Sequence, residues 1–429
     1  MKNIFDVWRQ FNTNQLNLKG PESVNWMKEV SRCTEEWSEE SFPRGEYWKY
    51  ISYGDLETTK LKQAVAKESA NNVWLEDDQW IVYINDFSQI NDIKSPSLFK
   101  GVSLRSHKDI LESDHLKDKL LKLFSNSKKD ENSLAKVPLS FLGLGLVLVV
   151  DNSVVVDKPI KFIFDLNHLQ EKDNFAPFSI QVLMGEQSSA NIFIETKAQE
   201  LVGFYNIRID MNLEAKAQLN LSLKEQGGSQ SRTMIHNYIG LASEAKLNFI
   251  DLTLPGKWSR HNTVVSLNDP LAEARVNGVY LNNNDYFCDH HTEIKHMKER
   301  TTSFQDYKGI LSGKAKAVFN GKVFIEKMAK KSSSEQINKN LMLSKKAEVN
   351  TKPELQIYND DVKAAHGATI GKIDNEQLFY LQSRGFTKEQ SWRALARAFV
   401  FEVLEDEPLQ TKDFFVKDIS SSLEYFEEL

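Results

Sequence analysis

The stretch AKAQLNLSLKEQGGSQSRTMIHNYIGLASEAKLNFIDLTL, Ala215–Leu254, carries one short pattern twice, as AKAQLN around Ala217 and as EAKLN around Ala245. In both copies a small residue is followed closely by an apolar residue and an Asn. Leu219, Leu221 and Leu223 alternate with Asn220, Ser222 and Lys224, the period of a strand with one buried face. The pattern recurs on both sides: SSANI at Ala190, EARVN at Ala274, AKAVFN at Ala317 and KAEVN at Ala347. The steps are 217 − 190 = 27, 245 − 217 = 28, 274 − 245 = 29, 317 − 274 = 43 and 347 − 317 = 30 residues. They are nearly constant apart from one interval that reads as an insertion. A near-constant period in strand-rich sequence predicts a solenoid, each coil stacked on the last. Small residues at a fixed place suit tight corners, and Asn side chains can stack in ladders.

Working outward, short alternating or β-branched runs dominate from about Val137 to Ile357, among them SVVV, IKFIF, NIFIE, NTVVSL and RVNGVYL. The apolar run Leu139–Val150 is too short for a membrane helix, which needs about twenty residues, and reads as buried strand. Residues 1 to about 75 read as helical, with Phe5, Trp8 and Phe11 on one stripe, Trp26, Val30 and Trp37 continuing it, and Pro43-Arg44-Gly45 as a breaker. Trp80–Ile84 reads as a short buried strand, Leu116–Phe124 as a helix and Asn126–Ser133 as a linker. Beyond the β region, Thr387 with Gln390 makes a capping box. Trp392, Leu395, Phe399 and Val403 form an apolar stripe, with Arg393 and Arg397 on the other flank. The expected organisation is an N-terminal helical or mixed region at 1–135, a β core at 136–358 and a C-terminal helical domain at 359–429.

Composition narrows the functional classes. Net charge is 54 − 60 = −6 over 429 residues, so no global basic field would draw nucleic acid. MKNIFDVWRQF lacks the apolar core of a secretory signal, and with two cysteines, Cys33 and Cys288, a reducing cytoplasm is expected. Two cysteines make neither a disulfide framework nor a self-contained Cys₄ site. GILSGKA at Gly309–Ala315 has three residues between its glycines where a phosphate loop has four, and Ala315 stands where Mg²⁺ needs Ser or Thr. GLGL at Gly143–Leu146 lacks the third glycine of a dinucleotide fingerprint. No nucleotide site is expected in this chain, and no Ser/His/Asp or Cys/His set assembles.

Two stretches remain as candidates for chemistry. DHHTEIKH, Asp289–His296, holds three histidines; as a strand it puts Asp289, His291 and Glu293 on one face and His290, Thr292, Ile294 and His296 on the other. Structural hydrogen bonding is the plainer reading, and a metal-dependent or carbohydrate-active enzyme centred there is the alternative. The second stretch is ELQIYNDDVKAAHGATIGKIDNEQLFYLQSRG, Glu354–Gly385. It begins as a strand, breaks at Asn359-Asp360-Asp361, and passes through an expected turn carrying His366, Gly367 and Gly371. After Asp374 it turns helical, with Leu378, Phe379, Leu381 and Gln382 at helical spacing and Gly385 as the stop.

DDVKxxHGAT followed by LFYLxSRG resembles the SufB/SufD family of iron–sulfur cluster assembly scaffolds. DHHTEIKH, TTSFQDYKGILSG, VFNGKV and LMLSKKAEVNTKPELQI extend the resemblance over roughly the C-terminal two thirds, with a weaker echo in FPRGEYWKY at Phe42–Tyr50. The resemblance implies a mainly β fold, a right-handed parallel β-helix flanked by N-terminal and C-terminal helical domains. It implies a scaffold with no turnover of its own, paired with a SufB-like subunit and docked to a SufC-like ABC ATPase. Whether the chain forms a homodimer when alone is left open by the sequence, and neither nucleic acid nor membrane is an expected partner. By this resemblance His366 lies at the SufB interface and helps to hold a nascent iron–sulfur cluster, and imidazole suits iron. Asp360 and Asp361 would orient that imidazole or bind incoming ferrous iron. Exposed residues between Glu376 and Glu405, among them Glu376, Arg384, Arg393 and Arg397, would meet the ATPase. SufD-type members often carry a cysteine two residues before the histidine; here that place is Ala364, so His366 would act without it, and a purely architectural brace for SufB is the competing reading. Few cysteines and no long cysteine-bearing N-terminal region place the chain on the SufD side.

Overall fold

The computed structural model describes residues 49, 61–63, 70–86, 100–111, 116, 119, 133–141, 144–169 and 174–426. The helical stripes read at residues 1–75, the helix at Leu116–Phe124, the linker at Asn126–Ser133 and Cys33 lie almost wholly outside these residues. The described strands run β1 (Lys62–Gln63), β2 (Asn72–Glu76), β3 (Gln79–Ile84), β4 (Val102–Ser106), β5 (Gly145–Val150), β6 (Ile160–Asp165), β7 (Asn174–Met184), β8 (Ser189–Lys197), β9 (Gly203–Leu213) and β10 (Gln218–Gln226). They continue as β11 (Ser231–Leu241), β12 (Lys246–Thr253), β13 (Trp258–Leu267), β14 (Glu273–Asn282), β15 (Phe287–His296), β16 (Thr302–Leu311), β17 (Lys316–Ile325), β18 (Ser333–Met342), β19 (Glu348–Ile357) and β20 (Lys363–Gly371). Helices are α1 (His107–Leu111), α2 (Ser133–Ser140), α3 (Asn375–Ser383), α4 (Lys388–Phe401) and α5 (Leu409–Glu424). Among the described residues no helix is long and apolar enough to cross a membrane.

From β5 onward the strands alternate between two sheets. One has the order β19-β17-β15-β13-β11-β9-β7-β5-β4, the other β2-β3-β6-β8-β10-β12-β14-β16-β18-β20. Neighbours pair in parallel from β5 and β6 on, so the chain winds as a parallel β-solenoid. Each coil contributes one rung to each sheet, and apolar side chains of both sheets fill the lumen in one continuous core. A buried Leu, Ile or Phe contributes about 1.5–3 kcal/mol, and stacking lets each coil bury the face its neighbour leaves open.

The corners explain the sequence period. On entry to the second sheet the chain places a left-handed residue, Gln187, Lys216, Glu244, Leu271, Arg300 or Lys331. It is followed at once by a buried small one, Ser188, Ala217, Ala245, Ala272, Thr301 or Ser332. The repeat is therefore real, with one correction. The 43-residue step between Ala274 and Ala317 contains no insertion: Ala274 lies in β14 and Ala317 in β17, on opposite sheets. From the start of β14 the next strand starts after 287 − 273 = 14 residues and the next coil after 302 − 273 = 29; the step is one and a half coils. Asn191, Asn220 and Asn248 stand in register on the outer face, with Asn220 donating to Asn191 at 2.7 Å.

Several boundaries differ from the sequence reading. Asn72–Glu76 is a strand, because Asp77 and Asp78 both take positive φ and make the two-residue hairpin turn into β3. Ser133–Ser140 is helical across the place where the β core was expected to begin. The expected turn after Asp361 becomes β20, another rung in register with β18. GILSGKA is the end of β16 and a corner at Gly313, φ +59°.

The C-terminal helices pack on the outer face of the second sheet, where Leu252, Val279 and Ile310 meet Trp392, Val400, Phe415 and Ile419. The stripe is rotated in part from that read in the sequence: Trp392 and Val403 are buried as expected, Ala396 and Val400 join them, and Leu395 and Phe399 are only partly buried. Both halves of the capping box at Thr387 and Gln390 are formed. Lys224 of β10 anchors the domain, reaching Glu195 at 3.0 Å, Asp418 at 2.6 Å and the Phe414 ring at 4.3 Å. Lys308 of β16 donates to the Phe399 carbonyl at 3.0 Å and pairs with Glu402.

Candidate functional site

The last coil is open. β19 and β20 end their sheets, so their outer edges carry unpaired backbone groups with no further rung among the described residues. Register with β17 and β18 fixes which side chains face the lumen: Val349, Thr351, Pro353, Leu355 and Ile357 from β19, and Ala364, His366, Ala368 and Ile370 from β20. Ala364 confirms the parity by packing beside Val323, Ile325 and Ala329. In an inner coil these positions are buried; here Ile357 is 39% and Ile370 55% exposed.

His366 stands in the middle of this rim. Its register partner is Gln336, which donates to Gln305 of the rung below at 2.6 Å. The buried Gln336 Oε1 has no hydrogen bond. His366 therefore sits on top of a polar ladder running up the lumen, with its ring exposed. Asp360 and Asp361 are exposed in the corner before β20, where the Asp361 carbonyl accepts from Lys331 N at 2.6 Å. Asp361 lies in the bend that precedes β20 and His366 is the fourth of the nine residues of that strand, so the structure sets the acidic pair at the corner and the imidazole within the strand.

The expected ATPase-facing residues cluster on α3 and α4. Glu376 and Arg384 are exposed, Glu376 one position inside an N-terminus capped by Asp374 at 2.8 Å. Arg384 lies over Tyr380 at 5.3 Å and Arg397 over Phe401 at 5.2 Å. Arg393 is partly committed to its own domain, bonded to Glu389 at 2.7 Å and to the Glu424 carbonyl at 2.8 Å. The sequence reading passed over the apolar part of this surface: Phe379, Tyr380 and Phe386 are 72%, 56% and 47% exposed. The signal was LFYL at Leu378–Leu381, more apolar residues than a helix lying on one surface can bury.

DHHTEIKH does not form one centre. On the outer face His291 lies 3.1 Å from Asp289, which Arg260 approaches at 2.5 Å. Inside, His296 bonds Thr301 at 2.8 Å and Ser303 at 2.9 Å. His290 faces residues of other strands. His261 Nδ1 lies 2.7 Å from Asp251 Oδ2 and its Nε2 2.7 Å from Glu225 Oε2, while His290 Nδ1 is 3.5 Å from Asp251 Oδ2. All four side chains are buried. Burial alone would lower the His261 pKa, yet the two carboxylates raise it to about 10. Burial pushes the nearby Cys288 thiol up, so it stays protonated. Asp251 and His261 escaped the sequence reading, although 290 − 261 = 29 is one coil.

Comparison with known proteins identifies the family. Residues 168–399 match the family model described as SUF system FeS cluster assembly, SufBD core domain. An iron–sulfur cluster assembly protein SufD of Escherichia coli is 38% identical over 202 residues, 47% of this chain and 48% of that protein. A SufBD family protein of Synechocystis is 26% identical over 389 residues, covering 85% of this chain and 83% of its own. A chloroplastic protein of Arabidopsis thaliana is 31% identical over 230 residues, 53% of this chain and 48% of its own. The matches to the E. coli and Arabidopsis proteins thus span about half of those proteins' length.

Proposed function

We propose, from the premise that this chain belongs to the SufBD core family of the SUF iron–sulfur cluster assembly system, that it serves as a SufD-type scaffold whose open last coil pairs with a SufB-like subunit. The observation that carries the reading is that uncapped rim. Two free strand edges, exposed Ile357 and Ile370 and a lumen-facing His366 lie together on one end of the solenoid. An edge of this kind is stable in solution when another strand covers it. Covering it would bury His366 between the two chains, where an imidazole can share an iron with thiolates supplied by the partner. Here the cluster is cargo. At the rim the described residues offer one imidazole, His366, and, with Ala364 at the neighbouring lumen position, no thiol.

The exposed Phe379, Tyr380 and Phe386, ringed by Glu376 and Arg384, are the surface on which a SufC-like ATPase would dock. Closure of that ATPase would reach the rim through the short connection from β20 to α3. The chain itself would turn over no substrate, and its setting would be the cytoplasm or, as the Arabidopsis relative's name states for that protein, a plastid.

The test is iron and acid-labile sulfide bound by the anaerobically reconstituted complex of this chain with SufB-like and SufC-like partners, wild type against His366→Ala. Retained assembly with most of the iron lost makes His366 a ligand or delivery group. Full loading makes the chain a brace. A wild-type chain that binds neither partner defeats the scaffold reading.

A further inference from the structure

We propose that the solenoid lumen holds a divalent first-row transition ion, ligated by Asp251, His261 and His290, with Glu225 as the outer carboxylate that orients His261. This does not rest on the scaffold reading: the residues lie on inner coils, with β17 between β15 and the rim strand β19, and β14, β16 and β18 between β12 and β20.

Four observations converge. First, one donor atom from each of Asp251, His261 and His290 lies within 4.8 Å of the others, and these three form the one such cluster among the described residues. Metal–nitrogen and metal–oxygen bonds of about 2.0–2.2 Å set the donors of a tetrahedral ion roughly 3.3–3.6 Å apart. Of the spacings already present, 3.5 Å falls within that range and 2.7 Å lies a little below it.

Second, His290 is 1% exposed; its Nε2 makes no hydrogen bond and its Nδ1 has only the long 3.5 Å approach to Asp251 Oδ2, while Asp251 Oδ1 and Glu225 Oε1 are unpartnered. A buried polar atom without a partner costs about 1–3 kcal/mol, and these gather in one place. The imidazole is held in position by rings, with Tyr280 at 5.2 Å and Tyr307 at 5.5 Å.

Third, the outer shell is built. His261 Nε2 points at Glu225 Oε2 at 2.7 Å, and Ser259 Oγ donates to the same oxygen at 2.5 Å. An imidazole that ligates through one nitrogen and donates through the other to a carboxylate is the arrangement that fixes metal-bound histidines.

Fourth, the charge closes. Strand register and alternation put no Lys or Arg into the lumen on β10 to β15. Two carboxylates, two neutral imidazoles and a dication sum to zero, the state a low-dielectric interior favours. On binding, the proton between His261 Nδ1 and Asp251 leaves to solvent and the nitrogen lone pair takes the metal; the Nε2 proton stays donated to Glu225. Two imidazoles with carboxylate suit Zn²⁺ or Fe²⁺ over Mg²⁺ or Ca²⁺.

The experiment uses the full chain, stripped with chelator and loaded with Co²⁺ as optical probe, both as the native protein and during refolding, because the cluster is closed to solvent. Bound metal is counted per chain. The expected result is one Co²⁺ per wild-type chain with ligand-field absorption, a Tm that rises with Co²⁺, and affinity at least tenfold lower in Asp251→Asn and in His290→Gln. His366→Ala should bind as wild type, which separates this site from the rim. No Co²⁺ in the wild type by either route overturns the proposal, as does loading unchanged in both variants, or loading lost only in His366→Ala. Should Asp251→Asn fail to fold, His290→Gln decides between these outcomes, since the polar contact of His290 is only the long 3.5 Å approach to Asp251.

Discussion

His296 shows what one buried side chain does to the pH range of the fold. Its ring is enclosed by the hydroxyls of Thr301 and Ser303, and burial holds its pKa near 4 against an ordinary 6.5. The unfolded chain takes up this proton below pH 6.5, the folded chain only near 4. The stability contributed by neutral His296 is therefore full above 6.5 and lost as pH falls from 6.5 to 4, up to about 3 kcal/mol. His296→Gln should flatten Tm against pH across that window, with His236 and His291, also held down by burial, keeping the remaining slope. A variant whose Tm falls in parallel with the wild type refutes the assignment. Glycines on adjacent rungs carry a second residue-scale prediction. Gly278 is in register with Tyr307 and Gly309 with Tyr280. A Cβ would meet the Tyr307 ring at 2.2 Å and the Tyr280 ring at 2.1 Å, so each glycine makes room for its neighbour's aromatic. Gly309→Ala should cost about 1–3 kcal/mol by overpacking, read as a lower urea midpoint with m unchanged.

At the scale of elements, the solenoid was legible because its corners repeat in composition. Ala217, Ala245 and the left-handed residue before each recur once per coil, and strand alternation marks the lumen face. The half-coil was not legible, because Ala274 and Ala317 look alike in sequence while lying on opposite sheets. β20 was read as a turn because acidic and glycine residues interrupt its apolar pattern. Its inward positions, Ala364, His366 and Ala368, need no strong apolar character on a rung that ends its sheet among the described residues. The lumen cluster was hidden for a different reason: Asp251 and His290 come from facing sheets, 39 positions apart (290 − 251), and spacing in sequence does not report contact across a lumen. The rotated stripe on α4 reflects what it packs against, the outer face of β14 and β16, where charged residues share the interface. Lys224 is the test of that interface. With 5% of its side chain exposed it joins Glu195 of the solenoid to Asp418 of α5. Lys224→Met removes a buried cation and leaves Lys161 and the Gln226 amide, both at 2.8 Å, as partners of Glu195. The loss should be about 3 kcal/mol, the low end for breaking a buried pair, and it should be local. Amide exchange of α5 should quicken while β9 to β15 keep their protection; uniform quickening would mean that the helical domain and solenoid unfold as one.

The whole molecule presents two surfaces, one at the open end of the solenoid and one on α3. Their separation makes the proposed assembly divisible by mutation. Ile357 and Ile370 flank His366 on the rim, both exposed in the lone chain, and neither supports the helical domain. Ile370→Lys together with Ile357→Lys places two cations where a second β surface would have to close. The cost of burying an unpaired charge should weaken binding of a SufB-like subunit at least tenfold and leave a SufC-like ATPase bound as before. Phe379→Ser with Phe386→Ser should do the reverse, since those rings project from α3 and from the turn beyond Gly385, φ +94°. The same rim pair should also remove any concentration-dependent dimer that the chain forms alone in sedimentation, because a second copy would use the same free edges. If the lysine pair abolished ATPase binding while sparing the SufB-like partner, the two surfaces would have been assigned the wrong way round. If both pairs abolished both interactions with native Tm values, coupling between rim and helices would be tight enough that neither surface acts alone, and the short link from Gly371 to Asp374 would be the place to break it.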